Sequence, residues 1–342
     1  MIKFPSIGQF RNVVQNVKHK ASYVGKDEAG NPVFQDPGAY PKLKFTGLVK
    51  LHGTNAAVVY GPYAELSFQS RERVLSYEQD NAGFCTHMSS RREEVMELVD
   101  RVWDAIAPHV ETEGHSLAIY GEWCGGNIQR NVALTQLPKM FVVFAAKIGE
   151  QWLDISAVNL RGIDPSIHSI YEFPTYSLWI DFNQPEVAQA ALTSITQDVE
   201  AECPVGRALG VSGIGEGVVW FRSDDLDPEY WFKVKGEKHS ASKVKTLASP
   251  DLEALANINE FIEATVTEAR LEQGLQNLLN EQLKPFDMTS IGDFIRWVHA
   301  DVVKEESDTL IANGIEHKKI GGPIARKAKA WYVTKMEEAV TA

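Results

Sequence analysis

The chain has 342 residues, 44% hydrophobic and 23% charged, and its 34 Lys and Arg against 46 Asp and Glu give a formal net charge of −12. With 8 Trp, 10 Tyr and 15 Phe it is no disordered chain, and the length predicts about two domains. No uncharged apolar run approaches the roughly 20 residues of a membrane-crossing helix, and residues 1–11 hold no apolar core of a secretory signal. Three scattered cysteines, Cys85, Cys124 and Cys203, form neither a disulfide frame nor a paired zinc motif, so a cytoplasmic protein is expected.

Up to about residue 238, short apolar runs punctuated by Gly and Pro predict strands at 47–50, 56–60, 117–120, 141–145, 217–221 and 230–235. Between them, Ser90 with Glu93 reads as a capping box, followed at helical spacing by Val95, Leu98, Val99, Val102 and Ile106 and stopped by Pro108. A second helix is predicted from Pro185, with Val187, Ala191, Ile195 and Val199 on its inner side. After residue 242 the texture becomes helical, with predicted helices at 252–266, 271–283, 291–303 and 323–336. Ser290 is expected to cap the third, and Gly322-Pro323 to open the last. The expected division is 1–243, a largely antiparallel α+β domain, and 244–342, a small all-helical domain.

The acidic net charge argues against a nucleic-acid partner, but its distribution is uneven. Residues 162–206 contain seven acids and no Lys or Arg, whereas 317–335 contain six basic residues and no acid. The basic run suits either a phosphate backbone or the solvated side of an amphipathic helix.

The most informative stretch is Lys50-Leu51-His52-Gly53-Thr54-Asn55, predicted to form the turn between two strands. Lys-x-x-Gly alone says little, since the chain has five, beginning at Lys44, Lys50, Lys233, Lys318 and Lys319. What distinguishes Lys50 is a His, a Thr and an Asn crowded into the same turn, where none would help a core. Strand alternation further places Lys233 and Lys235 on one face. That pattern also suits the wet face of an edge strand.

Lys-x-His-Gly-Thr-Asn resembles the first motif of the RNA ligase 2 family, which includes bacteriophage nick-sealing and RNA-editing ligases within the covalent nucleotidyltransferases. The remaining family motifs follow in order. Ser70-Arg71-Glu72 resembles the short motif after the first hairpin, at whose bend Lys50 is expected, and Tyr120-Gly121-Glu122 resembles the third motif, with Gln129 seven residues on. Phe141-Val142-Val143-Phe144 resembles the strand with the adenine platform; Ala145 replaces the usual acid, which favours Phe144 over Phe141 without settling it. Gly215-Glu216-Gly217 and Lys233-Val234-Lys235 resemble the fourth and fifth motifs.

The resemblance implies an antiparallel-sheet nucleotidyltransferase domain of ATP-grasp-like ligase type, followed by a helical domain. It implies ATP and Mg²⁺, or Mn²⁺ in its place, as cofactors. Lys50 would be the nucleophile, assisted by His52, with Leu51 lining the nucleotide site. Glu122 would hold the ribose and Phe144 the adenine; Glu216 would be the metal ligand, and Lys233 and Lys235 would bind phosphates. Asn55 and Arg71 would serve the later steps. The expected partner is RNA with 5′-phosphate and 3′-hydroxyl ends, at a duplex nick or bridged break, and a monomer is expected. The alternatives are a DNA ligase, a capping-type nucleotidyltransferase, or a non-catalytic RNA-binding protein of the same fold.

Overall fold

Short apolar runs bounded by turn residues dominate the first two-thirds of the chain, and they form strands. In the computed structural model, which describes residues 1–106, 108, 110–240 and 258–341, the chain divides into two units, Met1–Gly236 and Glu237–Ala342. The boundary expected at 243/244, residues 252–257 of the first predicted C-terminal helix, and His109 lie outside the described residues.

The first unit begins with β1 (Gly8–Gln9), α1 (Phe10–Ser22), β2 (Tyr23–Lys26), β3 (Pro32–Phe34), β4 (Lys42–Lys50), β5 (Thr54–Tyr60) and β6 (Leu66–Ser70). It continues with α2 (Phe84–Ser89), α3 (Arg92–Ile106), β7 (Leu117–Cys124), β8 (Met140–Ile148), β9 (Gln151–Leu153) and β10 (Ile167–Ser169). It closes with β11 (Thr175–Asp181), α4 (Pro185–Ala201), α5 (Pro204–Ala208), β12 (Gly217–Arg222) and β13 (Phe232–Lys235).

Two largely antiparallel sheets result. The first has the order β1-β13-β12-β4-β11, and the second β10-β8-β7-β5-β6 with β9 on β8; β2 and β3 form a separate ribbon. The predicted turn at residues 51–53 therefore joins no hairpin. Its two strands belong to different sheets, so the turn is the crossover between them. The first sheet turns Phe45, Val218, Trp220 and Phe232 toward α1 and α4. The second sheet buries Val58, Ile119, Trp123 and Phe141 against α2 and α3.

Several local expectations are corrected. Ser90 is not the cap of α3: it ends α2, and its hydroxyl donates to the His87 carbonyl at 2.7 Å. The apolar stripe of α3 itself is buried as read from the sequence. In α4 the inner residues are Pro185, Ala188, Leu192, Thr196 and Val199, while Val187 is exposed. Steps of four residues rotate 400°, drifting about 40° each on a helix of 3.6 residues per turn, so Val187 stands about 120° from Val199 and the stripe meets the core face only at its Val199 end.

The segment before β1 also fills space between the sheets. Gln69 brackets Ile2, accepting from its N–H at 3.1 Å and donating to its carbonyl at 2.5 Å, and the Tyr120 hydroxyl donates to the same carbonyl at 3.0 Å. Phe4 then lies among Tyr120, Phe144 and Trp231, with ring centroids 5.1, 5.2 and 5.5 Å away. Such aromatic contacts add about 0.5–1.5 kcal/mol each beyond buried area.

The second unit comprises α6 (Ile258–Thr265), α7 (Glu268–Gln276), α8 (Ile291–Glu305), α9 (Ser307–Ala312) and α10 (His317–Thr341), around a core that includes Phe261, Phe294, Val298, Ile324 and Tyr332. Ser290 precedes α8 but makes no side-chain cap. Pro323 lies inside α10, which starts six residues earlier than the Gly-Pro signal suggested. Pro removes one helical hydrogen bond and usually opens a helix; here the turn before it is already helical. Among the described residues no helix is long and apolar enough to cross a membrane.

One buried ion network ties this unit together. Arg270, 1% exposed, reaches Asp301 at 2.9 Å and the fully buried Glu306 at 3.3 Å, and also donates to the Thr265 carbonyl. Removing one partner strands a buried charge, whereas replacing both with apolar groups is far less harmful. Arg270→Ala is expected to lower the stability of this unit by about 3–5 kcal/mol, read by hydrogen exchange of α7 and α8 amides. The double replacement Arg270→Met with Glu306→Leu should recover most of the loss.

Candidate active site

Gly217, the first residue of β12, pairs with Lys50 on β4 and with Lys235 on β13. Adjacent strands are about 4.8 Å apart, so the two lysines flank Gly217 and the preceding residue, Glu216, lies within reach of both. Lys50 Nζ is 2.7 Å from Glu216 Oε2, Lys235 Nζ is 2.9 Å from Oε1, and His52 Nδ1 is 3.2 Å from Oε2. Glu216 is 2% exposed.

Burial alone would push the Glu216 carboxyl up, but the ammoniums of Lys235 and Lys50, followed by His52, outweigh it and hold the group well below the usual carboxylate range. Lys235 moves down from its ordinary value. Burial is the main cause, joined by the charges of Lys50 and Lys233 and opposed by Glu216. The backbone fixes this placement. Gly236 N–H donates to the Glu216 carbonyl at 2.9 Å, and Gly215 N–H donates to the Val199 carbonyl at 3.1 Å. Gly217 has φ +150°, and a Cβ there would fall on the Val234 carbonyl, so only glycine suits the position.

The crossover turn is held from the other sheet. Gly53 N–H donates to Glu122 Oε1 at 2.9 Å, and Gln129 Nε2 donates to the Gly53 carbonyl at 3.1 Å. A Cβ at Gly53 would collide with the Trp123 carbonyl, which explains the glycine. Burial pushes Glu122 up to about 7; Lys50 opposes this, Glu216 adds to it, and the Gly53 hydrogen bond and Arg71 oppose it.

The remaining candidates fall at different depths. Asn55 pairs with Glu122 across β5 and β7. Arg71 is exposed, and its charge is felt at Glu122. The Leu51 side chain is buried at 5% exposure, so that side chain packs in the core. Lys233 and Lys235 share the face of β13 opposite the buried Phe232 and Val234. Phe141 is fully buried on the α2–α3 side, 5.0 Å from the Phe84 ring. Phe144 belongs to the opposite, Tyr120 side, where β8 shifts register against β7. Of the two, Phe144 therefore shares a sheet face with Tyr120 and, two residues along the alternation, Glu122.

Two supports escaped the sequence reading. Asn81, buried, donates from Nδ2 to Thr54 Oγ1 at 2.9 Å. Trp152 and Trp231, with centroids 4.8 Å apart, back the aromatic cluster beside Phe144. No local pattern marks them, because their partners are distant in sequence. The three cysteines are free and buried.

A model of the RNA ligase family matches residues 44–235, more than half of the chain and the whole span from Lys50 to Lys235. The chain belongs to the RNA ligase family. Among solved structures it is similar to Naegleria gruberi RNA ligase with PPi, at 17% identity and a TM-score of 0.43, over 69% of this chain and 56% of that one. It is also similar to variants of that ligase with ATP and Mn (16%, 0.42) and with AMP and Mn (15%, 0.43), at the same coverage. The chain thus matches little more than half the length of those relatives. Comparison with curated proteins gives no match.

The titration of Glu122 gives a test. Its folded-state pKa of about 7 exceeds the ordinary 4.5, so the folded protein holds this proton more tightly. That contribution to stability is complete below the unfolded pKa and is lost as pH rises through 7. Glu122→Gln, which keeps an acceptor for Gly53 but does not ionise, should match the wild-type Tm near pH 4.5 and exceed it at pH 8. A Tm difference independent of pH would count against this assignment.

Proposed function

We propose that this protein is an ATP-dependent RNA ligase working through a covalent lysyl-AMP. The observation that carries the reading is the convergence of Lys50 and Lys235 on the buried carboxylate of Glu216, at the ends of three paired strands within the family match.

The chemistry proceeds in three displacements at phosphorus. Lys50 Nζ attacks the α-phosphorus of ATP, forming a P–N bond as the bond to pyrophosphate breaks. The adenylate then passes to the 5′-phosphate of an RNA strand, regenerating the lysine. Finally a 3′-hydroxyl attacks that 5′-phosphate, AMP leaves, and a phosphodiester closes. Each step depends on alignment and charge neutralisation more than on covalent assistance.

The residues divide this work by position. Lys235 and Lys233, on the same strand face, would bind the phosphates. Phe144 would carry the adenine and Glu122 the ribose hydroxyls; His52, beside Glu216, would assist the first step. Asn55 and Arg71 would act once RNA is bound. Attack requires the Lys50 amine to give up a proton and leave its pairing with Glu216, whose charge stays balanced by Lys235. No cluster of three His, Cys, Asp or Glu side chains gathers among the described residues. Mg²⁺ or Mn²⁺ needs no such cluster, since it commonly takes one or two carboxylates and completes its shell with water and substrate phosphate, which the buried Glu216 carboxylate suits. Glu216 would be that carboxylate, and the ion would supply charge neutralisation at the reacting phosphorus.

Incubation with ATP labelled at the α-phosphate and Mg²⁺ should leave label on the protein, with Lys50→Ala reduced to background. Retention of label in that variant would refute the nucleophile. GTP in place of ATP should give no label, which separates a capping-type enzyme. Sealing of nicked RNA in preference to nicked DNA would separate a DNA ligase, and RNA binding without labelling would indicate a non-catalytic relative.

A further inference from the structure

The sheet face that carries Lys50 continues past the candidate active site to an open edge. On β4 the alternation that brings Lys50 to this face also brings Leu48, Thr46 and Lys44. Edge strand β11 pairs antiparallel with β4, setting Ser177 opposite Thr46 and Trp179 opposite Lys44. The other face of β11 is accounted for: Ile180 is fully buried, and the Tyr176 ring is 6.4 Å from that of Trp220, which covers Gly47. Trp179 therefore points away from α4, onto the lysine-bearing face.

Trp179 is 58% exposed, and it is the one exposed Trp among the described residues. Lys44 is exposed and makes no ion pair among them. Lys44, Lys50, Lys233 and Lys235 thus share one sheet face in a chain of net charge −12. An indole laid open beside an unneutralised ammonium suits a ligand with both an aromatic face and a phosphate. The distance along β4 from Lys44 to Lys50 is about 20 Å. Thr46 and Ser223, with hydroxyl oxygens 2.8 Å apart, stand between the two ends.

We infer that Trp179 and Lys44 are a second contact for the RNA strand, remote from the reacting ends. The indole stacks on a base and Lys44 neutralises a backbone phosphate at the β4–β11 edge of the sheet that bears Lys50; Leu48, between the two lysines, is buried, so the contact lies at the edge. The inference rests on the RNA ligase reading and adds a place at which the substrate is held. Base–aromatic stacking is strong enough to govern affinity without touching the chemistry at Lys50.

The test is binding of a fluorescent oligoribonucleotide by anisotropy, run beside ATP labelling of the same proteins without RNA. Trp179→Ala should weaken RNA binding about 10-fold or more, and Trp179→Phe, which keeps a stacking surface, should restore most of it. Lys44→Ala should also weaken binding and lower the slope of log K against log salt by about one. All three variants should label with ATP as the wild type does, since that step uses no RNA. RNA affinity and salt slope unchanged in Trp179→Ala and Lys44→Ala would overturn the inference. A wild-type protein that takes no label would instead defeat the ligase reading, and anisotropy would still report on this surface.

Discussion

A single buried carboxylate, Glu216, organises the candidate site. It is 2% exposed and contacts two ammoniums and an imidazole nitrogen from positions 50, 235 and 52. A buried charge is tolerable only when paired, so β4, β12 and β13 must end together with their lysines turned the same way. A register slip of one residue would send Lys50 or Lys235 to the helix-covered face. The ion cluster therefore fixes the ladder as much as the ladder fixes the cluster. Gly217 completes the constraint, because it sits between the two lysines with a backbone that a Cβ would obstruct.

The same sheet explains how an acidic protein carries a cationic site. One face bears Lys44, Lys50, Lys233 and Lys235, whereas α4, packed on the other face, carries Glu186, Asp198 and Glu200. Charge is thus separated across the thickness of a sheet and a helix. Net charge sums the two sides and loses the distinction; a ligand approaching one face meets mostly one sign.

The parts of this arrangement that were legible in the sequence are those set by neighbours in the chain. Lys50 and Gly53 lie in a crowded strand-and-turn pattern and alternation alone put Lys233 and Lys235 on one face, whereas Glu122 and Glu216 stood out only through resemblance to the family's motifs. The helices gave their presence but not their detail. Ser90 matched a capping pattern yet ends the preceding helix, and α4 turned its inner stripe away from Val187 because a four-residue spacing drifts around the helix. Pairing between distant segments was illegible: nothing local in Thr175–Asp181 announces an edge strand beside β4, and nothing in Ile2–Phe4 announces a wedge among Tyr120, Phe144 and Trp231. The crossover at residues 51–53 shows the difference well, since its residues marked a turn while the sheet membership of β4 depended on β11 and β12, over a hundred residues away.

That crossover couples the two halves of the site. Lys50 belongs to one sheet through β4, and three residues later the Gly53 backbone is clamped to the other by Glu122 and Gln129. The clamp does not require Glu122 to be charged, because a neutral carboxyl oxygen also accepts from an N–H. Across neutral pH the geometry of the turn can therefore persist while the charge facing Lys50 changes. Glu122 and Glu216 consequently play different electrostatic parts within the same cluster. Glu216 stays ionised under its two ammoniums, whereas burial leaves Glu122 poised near neutrality. The cluster thus holds one carboxylate kept ionised by its cations and one carboxyl able to give up or keep its charge without moving the backbone it supports.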